Sequence, residues 1–155
     1  MVEIRIHGRG GQGVVTAAEL IATAAFYDGK FAQAYPFFGV ERRGAPIEAY
    51  ARISDRPIRL RQRIYQPDYI IIQDATLVGS ISILAGLKKE TKVIINTEKN
   101  PTELLPTLKK SQLYGLPATQ IAMRTIGKPI INTALLGAFA AVSGLIRVSS
   151  IEKAL

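Results

Sequence analysis

The chain has 155 residues, 48% hydrophobic and 21% charged, enough to bury the core of one domain and outside the range of disordered chains. Twenty basic residues against 12 acidic ones leave +8 at neutral pH, which favours acidic partners such as phosphorylated ligands, nucleic acid or an acidic protein face. The absence of cysteine excludes disulfides and thiolate-held zinc or iron–sulfur clusters, and a single histidine excludes a histidine-built metal site.

Val2, Ile4 and Ile6 alternate with Glu3, Arg5 and His7, so the first element is a strand with one apolar face. His7, on its polar side, reads as a hydrogen-bonded structural residue. No leader pattern precedes this strand. The longest mostly apolar stretch, Ala134 to Ile146, is well short of the roughly 18–20 residues of a membrane span. The expected location is therefore the cytoplasm.

Gly8 to Gly13 forms a glycine-rich turn. A helix is expected from Val14 to Tyr27, with Ala17, Leu20, Ile21, Ala24 and Ala25 on its buried stripe and Asp28-Gly29 as its stop. A strand follows over Phe31 to Phe37, then a polar loop from Gly39 to Gly44, then a strand over Ile47 to Ile53. A turn at Ser54 to Pro57 and a further strand over Ile58 to Ile64 would complete a hairpin. That strand would set Arg59, Arg61 and Arg63 on one face.

Tyr69 to Gln73 is a short continuous apolar run, the pattern of a strand buried on both sides. Beyond it the expected elements are a helix over Ala75 to Leu87, a strand over Lys92 to Asn96 and a short helix over Thr102 to Lys110, interrupted at Pro106. A strand over Leu113 to Pro117 and helices over Thr119 to Ile126 and Thr133 to Leu145 follow. In the last of these Gly137, Ala138, Ala141 and Gly144 make a small-residue face suited to tight packing. A final helix pattern starts at Ser149 and is still running at Leu155, so it is either short or continued further. Strands alternating with helices give an α/β class. The expected architecture is a single domain over 1–155, with a Rossmann-like, mostly parallel sheet, helices on both faces and an antiparallel hairpin insertion.

Gly8-Arg9-Gly10-Gly11-Gln12-Gly13 fits G-x-G-x-x-G between a strand and a helix. Such glycines bring backbone amides to an anion at the positive helix end. Dinucleotide binding also wants an acid at the end of the second strand. Phe31-Ala32-Gln33-Ala34-Tyr35-Pro36 supplies none, and Glu41 comes too late, which argues against a free-standing NAD(P)-dependent oxidoreductase. Glu41-Arg42-Arg43-Gly44-Ala45-Pro46 is either a solvated turn with a local ion pair or a docking loop whose arginines engage carboxylate or phosphate. Gly8, Asp74 and Asn96 all fall at carboxyl ends of strands, the edge over which open α/β sheets bind ligands. For Asp74 the favoured role is capping the helix that starts near Thr76. No helix-turn-helix or stacking platform accompanies the basic residues, so no nucleic-acid partner is assigned.

Several blocks carry a resemblance. Ile4 to Gly13 followed by Thr16-Ala17-Ala18, and Gln33-Ala34-Tyr35-Pro36-Phe37-Phe38-Gly39-Val40-Glu41-Arg42-Arg43-Gly44-Ala45-Pro46, are similar to the gamma subunit of pyruvate and related 2-oxoacid:ferredoxin oxidoreductases. Pro67-Asp68, Asp74-Ala75-Thr76-Leu77, Asn96-Thr97 and Asn132 to Ala138 fit the same family. The resemblance spans almost the whole chain. It implies a multi-subunit enzyme that oxidatively decarboxylates a 2-oxoacid, most readily pyruvate, to acyl-CoA and carbon dioxide with ferredoxin as electron acceptor.

The partners it implies are alpha and beta chains holding thiamine diphosphate and magnesium and a delta chain carrying 4Fe–4S clusters. This chain lacks both cysteine and the Gly-Asp-Gly signature of thiamine sites, so no catalytic residue and no metal ligand is assigned in it. By the same resemblance Gly8, Arg9, Gly10, Gly11, Gln12 and Gly13 would approach a phosphate of coenzyme A, and Glu41, Arg42 and Arg43 would meet other subunits. The rival readings are an indolepyruvate ferredoxin oxidoreductase beta-type subunit and a stand-alone Rossmann nucleotide-binding protein.

Overall fold

The computed structural model describes residues 1–37, 43–79 and 82–155. Its strands are β1 (Val2–Arg9), β2 (Phe31–Phe37), β3 (Pro46–Ser54), β4 (Tyr69–Ile72), β5 (Lys92–Asn96) and β6 (Leu113–Leu116). Its α-helices are α1 (Val14–Tyr27), α2 (Pro101–Leu104), α3 (Ala118–Ile126), α4 (Asn132–Ser143) and α5 (Val148–Ala154). One mixed sheet has the order β2-β3-β1-β4-β5-β6. β1, β4, β5 and β6 run parallel, and β3 lies antiparallel to both β1 and β2.

One face of the sheet is mainly aliphatic, with Tyr69 and Tyr114 toward its β4–β6 side. Ile4, Ile6, Ala51, Ile71 and Ile94 point to it and pack on α1 and α4. Ala17, Ala18, Ala24 and Ala25 are buried on α1, so short side chains let that helix lie close to the strands. Each buried isoleucine adds about 1.5–3 kcal/mol. On α4 the inward residues are Leu135, Leu136, Phe139 and Ala140. Of the small-residue face expected to pack against the sheet or a neighbour, Ala138 packs against the core, while Gly137, Ala141 and Gly144 point away from the sheet. A side chain at Gly137 would meet nothing within 4 Å, and Ala141 and Gly144 are exposed. The large apolar residues win the inward position because they remove more surface from water.

The other face is divided. Below β4 and β5, Ile70, Ile72, Val93 and Ile95 pack on Ile83, Leu105 and Leu113, with α2 and irregular chain as cover. Below β1 and β3 the residues are polar: Glu3, Arg5 and His7 lie opposite Arg52, Tyr50 and Glu48. This polar side is not solvated. Arg5, His7 and Arg52 are 5%, 1% and 0% exposed. Arg5 Nη2 donates to the carbonyls of Ile83 at 2.7 Å and Ala85 at 2.8 Å, and Nη1 to that of Ile64 at 3.5 Å. Arg52 Nε donates to Glu3 at 2.8 Å and Nη2 to the carbonyl of Gln62 at 2.7 Å.

These two guanidiniums explain two departures from the expected elements. Residues 58–64 form no strand. The antiparallel part of the sheet is β2-β3-β1 instead of a hairpin over Ile47 to Ile64, and Arg59, Arg61 and Arg63 sit on an irregular strap. The carbonyls of Gln62 and Ile64 point at arginines and leave no regular ladder. The expected helix over Ala75 to Leu87 shrinks to one 3-10 turn, Ala75–Leu77, with Ser80 and Ile81 outside the described residues. A helix would consume the carbonyls of Ile83 and Ala85 internally. Gly79 and Gly86 also take positive φ, and Gly86 lies against the carbonyl of Tyr65. The helix expected over Thr102 to Lys110 is confined to Pro101–Leu104, started by the Asn100 side chain, which accepts from Thr102 N at 3.1 Å.

His7 Nε2 accepts from Arg5 Nε at 3.1 Å, while Nδ1 is buried with no partner among the described residues. Burial lowers the imidazole pKa, Glu48 opposes this, and Arg5 and Arg63 lower it further, to about 4. An unfolded chain takes up this proton near pH 6.5 and the folded chain only near pH 4. Stability is therefore complete above the upper value. It falls as pH drops through this window by on the order of 3 kcal/mol. Denaturant midpoints measured against pH should show this loss, and His7→Gln should flatten it. Because the chain has one histidine, its imidazole resonance should titrate near pH 4. A resonance titrating near 6.5 would mean that the ring is solvated.

Candidate functional site

β1 runs into the glycine turn, and two of its glycines are required by contact. A Cβ on Gly8 would lie 2.5 Å from Val14 Cγ2, so glycine lets the strand end pass under the first turn of α1. Gly13 precedes the helix with φ +71, and a Cβ there would meet Asn132 Nδ2 at 2.5 Å. No side chain caps α1. The first intrahelical bond is Ala17 N to Gly13 O at 2.9 Å. Among the described residues nothing accepts from the amides of Gly13, Val14, Val15 or Thr16.

These donors open on a cleft of about 640 Å³ lined by Gly10, Gly11, Gly13, Thr16, Arg43 and Ile47, with Val14 and Val15 beside them. The guanidinium of exposed Arg43 has no hydrogen bond or ion pair among the described residues. Open amides, the positive end of a 14-residue helix and an uncommitted guanidinium face one cavity. That combination attracts phosphate or carboxylate. Glu41 and Arg42 lie outside the described residues.

The turn is held from below by a carboxylate that it does not contain. Asp74, at the end of β4, accepts at Oδ1 from Thr76 N at 2.9 Å and Thr76 Oγ1 at 2.6 Å. It therefore caps the 3-10 turn, as its position led us to expect. Its Oδ2 accepts from Gln12 Nε2 at 2.8 Å and faces Arg9 Nε at 3.3 Å. Partial burial would raise the Asp74 pKa, but hydrogen bonds from Thr76 and Gln12 and the charge of Arg9 hold it below the usual carboxylate value. Arg9 also donates to the Gly44 carbonyl at 3.1 Å and to Thr76 Oγ1 at 2.9 Å. Gln12 Oε1 closes the knot by accepting from Arg9 N at 2.8 Å. Of the arginines singled out in the sequence, Arg9 of the glycine turn is thus largely engaged inside the protein, Arg42 lies outside the described residues, and Arg43, expected at a subunit contact, has no partner among the described residues. The Arg9–Asp74 pair joins the end of β1 to the turn that follows β4, and nothing in the local sequence signals it.

The edge geometry follows the rule for open α/β sheets. The chain leaves β1 toward α1 on one face and leaves β4 toward the irregular cover on the other, so a crevice opens between them. This second cleft, of about 470 Å³, is lined by Gln12, Gln73, Asp74, Asn96, Thr119 and Ile131 among others. Asn96 Nδ2 donates to the Gln73 carbonyl and to Thr119 Oγ1, each at 3.0 Å, tying the ends of β4 and β5 to the start of α3. The side chains of Asp74 and Asn96 are internally satisfied. They build the rim and leave the open donors to Gly13 and the first turn of α1. No group of three or more His, Asp or Glu residues among the described residues could hold a metal ion.

Residues 3–155 match the family described as pyruvate ferredoxin/flavodoxin oxidoreductase. The chain belongs to that family, as a gamma-type subunit. It is 52% identical over 157 residues to the pyruvate/ketoisovalerate oxidoreductases common subunit gamma of Pyrococcus furiosus, covering 100% of this chain and 85% of that one. Its structure matches that of the pyruvate oxidoreductase subunit PORC of Thermotoga maritima with a TM-score of 0.86 at 35% identity, covering 98% and 82% of the two chains. The 2-oxoglutarate:ferredoxin oxidoreductase of Magnetococcus marinus, solved with 2-oxoglutarate, coenzyme A and succinyl-CoA bound, shares the fold. It matches with a TM-score of 0.72 at 18% identity, covering 99% of this chain and 26% of that one.

The two kinds of glycine constraint can be separated by substitution. Gly13 and Gly29 both have positive φ, but a Cβ at Gly29 meets nothing within 4 Å. Gly29→Ala should cost about 1 kcal/mol through backbone strain alone. Gly13→Ala should cost about 2 kcal/mol or more, since Asn132 must also move. Thermal unfolding of the two variants gives the comparison, and equal losses would rule out the Asn132 contact.

Proposed function

We propose that the chain, acting as one domain over 1–155, is the gamma subunit of a thiamine-dependent 2-oxoacid:ferredoxin oxidoreductase that uses pyruvate. It would work in the cytoplasm with alpha, beta and delta chains and supply part of the coenzyme A site. The 52% identity to a gamma chain described as common to pyruvate and ketoisovalerate enzymes supports this reading. Specificity for the 2-oxoacid would then lie in the chains that hold thiamine. Thiamine diphosphate, magnesium and 4Fe–4S clusters would be held by those partners and supply the decarboxylation and electron transfer.

The observation that carries the coenzyme A assignment is the open set of amides from Gly13 to Thr16 facing the Arg43 cleft. A phosphate of coenzyme A suits these donors in charge and geometry. In this reading Gly10, Gly11 and Gly13 bring the backbone close, Gly8 lets α1 start where it does, and Gln12 and Arg9 hold the turn in shape. Arg9 keeps guanidinium N–H groups at the rim, and Arg43 supplies the free positive charge. Glu41 and Arg42 take the subunit contacts. A nicotinamide dinucleotide is disfavoured because β2 ends at Phe37 with no carboxylate to receive a ribose.

Calorimetric titration of coenzyme A into the assembled complex tests the assignment. Arg43→Ala should weaken binding about ten-fold or more, in line with a lost charged hydrogen bond of about 1.5–3 kcal/mol. Arg9→Ala should weaken it less and lower thermal stability, whereas Glu41→Ala with Arg42→Ala should reduce co-purification of the other chains. Unchanged affinity in both Arg43→Ala and Arg9→Ala would remove the coenzyme from this turn.

A further inference from the structure

We infer that the outer edge of β2, with the arginine strap beside it, receives an extended acidic segment of a partner subunit that adds a strand to the sheet. β2 ends the sheet on one side. Its seven residues, Phe31–Phe37, carry no charge. Its register with β3 runs unbroken from Phe31 opposite Ser54 to Phe37 opposite Glu48, so no bulge turns it aside. Sheet edges in soluble proteins are guarded by charged side chains, bulges, prolines or short length. At the opposite edge β6 has only four residues, but β2 has only Pro36. Among the described residues nothing pairs with its open side. A long edge guarded by a single proline near its end still offers the template that strand addition uses.

Charge selects the occupant. The strap is fastened to β2, because the Tyr35 hydroxyl donates to the Gln62 carbonyl and the Arg63 guanidinium lies 4.2 Å from the Phe37 ring centre. Arg63 is matched by Glu48 at 3.1 Å. Arg56, Arg59 and Arg61 are exposed, and among the described residues their side chains make no hydrogen bond or ion pair. Three guanidiniums with no partner among the described residues, carried on the chain between β3 and β4 whose Gln62 and Arg63 contact β2, call for carboxylates carried on an extended backbone. An extended acidic peptide satisfies both features, whereas a nucleic acid would satisfy only the arginines. The surface includes none of the residues lining the Arg43 cleft. The inference rests on the proposed function only for the identity of the partner as a subunit of the same enzyme.

Co-expression with the alpha, beta and delta chains, followed by light scattering across a salt series, tests it. The wild-type chain should assemble, and Arg59→Glu with Arg61→Glu should weaken assembly roughly a hundred-fold while circular dichroism stays unchanged. Arg59→Gln with Arg61→Gln should fall between the two. Amide exchange at 32–34 in the wild-type chain should slow on assembly. If the charge-reversed chain fails to fold, the glutamine variant and the wild-type exchange decide. Full assembly of the variants, or unchanged exchange along β2, overturns the inference alone. If the wild-type chain does not assemble, the proposed function falls and this inference with it.

Discussion

A single carboxylate organises the carboxyl edge of the sheet in this protein. Asp74 caps the turn after β4 and also accepts from Gln12 while facing Arg9, both in the glycine turn after β1. Two loops that leave the sheet on opposite faces are thereby joined at one point. The glycine turn alone is a flexible run of four glycines, whose entropy cost on ordering is the highest of any residue type. The knot around Asp74 fixes it so that the Gly13 amide and the first amides of α1 stay open among the described residues. It also engages Arg9, while Arg43 lines the cleft with no partner among the described residues.

Beneath the antiparallel half of the sheet, guanidiniums replace a helix as the means of attachment. Arg5 and Arg52 lie in the sheet face and reach carbonyls of the irregular strap and of residues 83–85. Burying a cation is costly unless its donors are matched. Here carbonyls, Glu3 and Tyr35 match them. The strap can then remain irregular and carry exposed arginines over an otherwise covered face. The price of this arrangement is a set of inward carbonyls, and with them the loss of the strand and long helix that local pattern favours.

The parts of the fold legible in the sequence were those with a strong period or a strong breaker. α1 begins and ends at Val14 and Tyr27 as expected, since an apolar stripe runs between a glycine turn and Asp28-Gly29. β2, β3, β4, β5 and β6 were legible within a residue or two for the same kind of reason. Residues 58–64 alternate arginine with apolar side chains and so imitate a strand, yet two of their carbonyls are needed by Arg5 and Arg52. On α4 the small residues suggested a tight face, but Leu135, Leu136 and Phe139 had more surface to remove from water.

At the candidate site, the glycine spacing between a strand and a helix pointed to anion binding, and the missing acid after β2 argued against a dinucleotide. Family membership was also legible, because several specific blocks occur in order along the chain. The sequence by itself thus determined the class, the main elements, the family and the position of the glycine turn, since all of these rest on local spacing. Only tertiary structure decided which arginine Asp74 holds, what His7 is buried against and how the second face is covered. Those outcomes depend on pairs such as Arg9–Asp74, Arg5–Ile83 and Arg52–Gln62. Such pairs form where strands and loops distant in sequence meet, and no periodicity along the chain encodes that meeting.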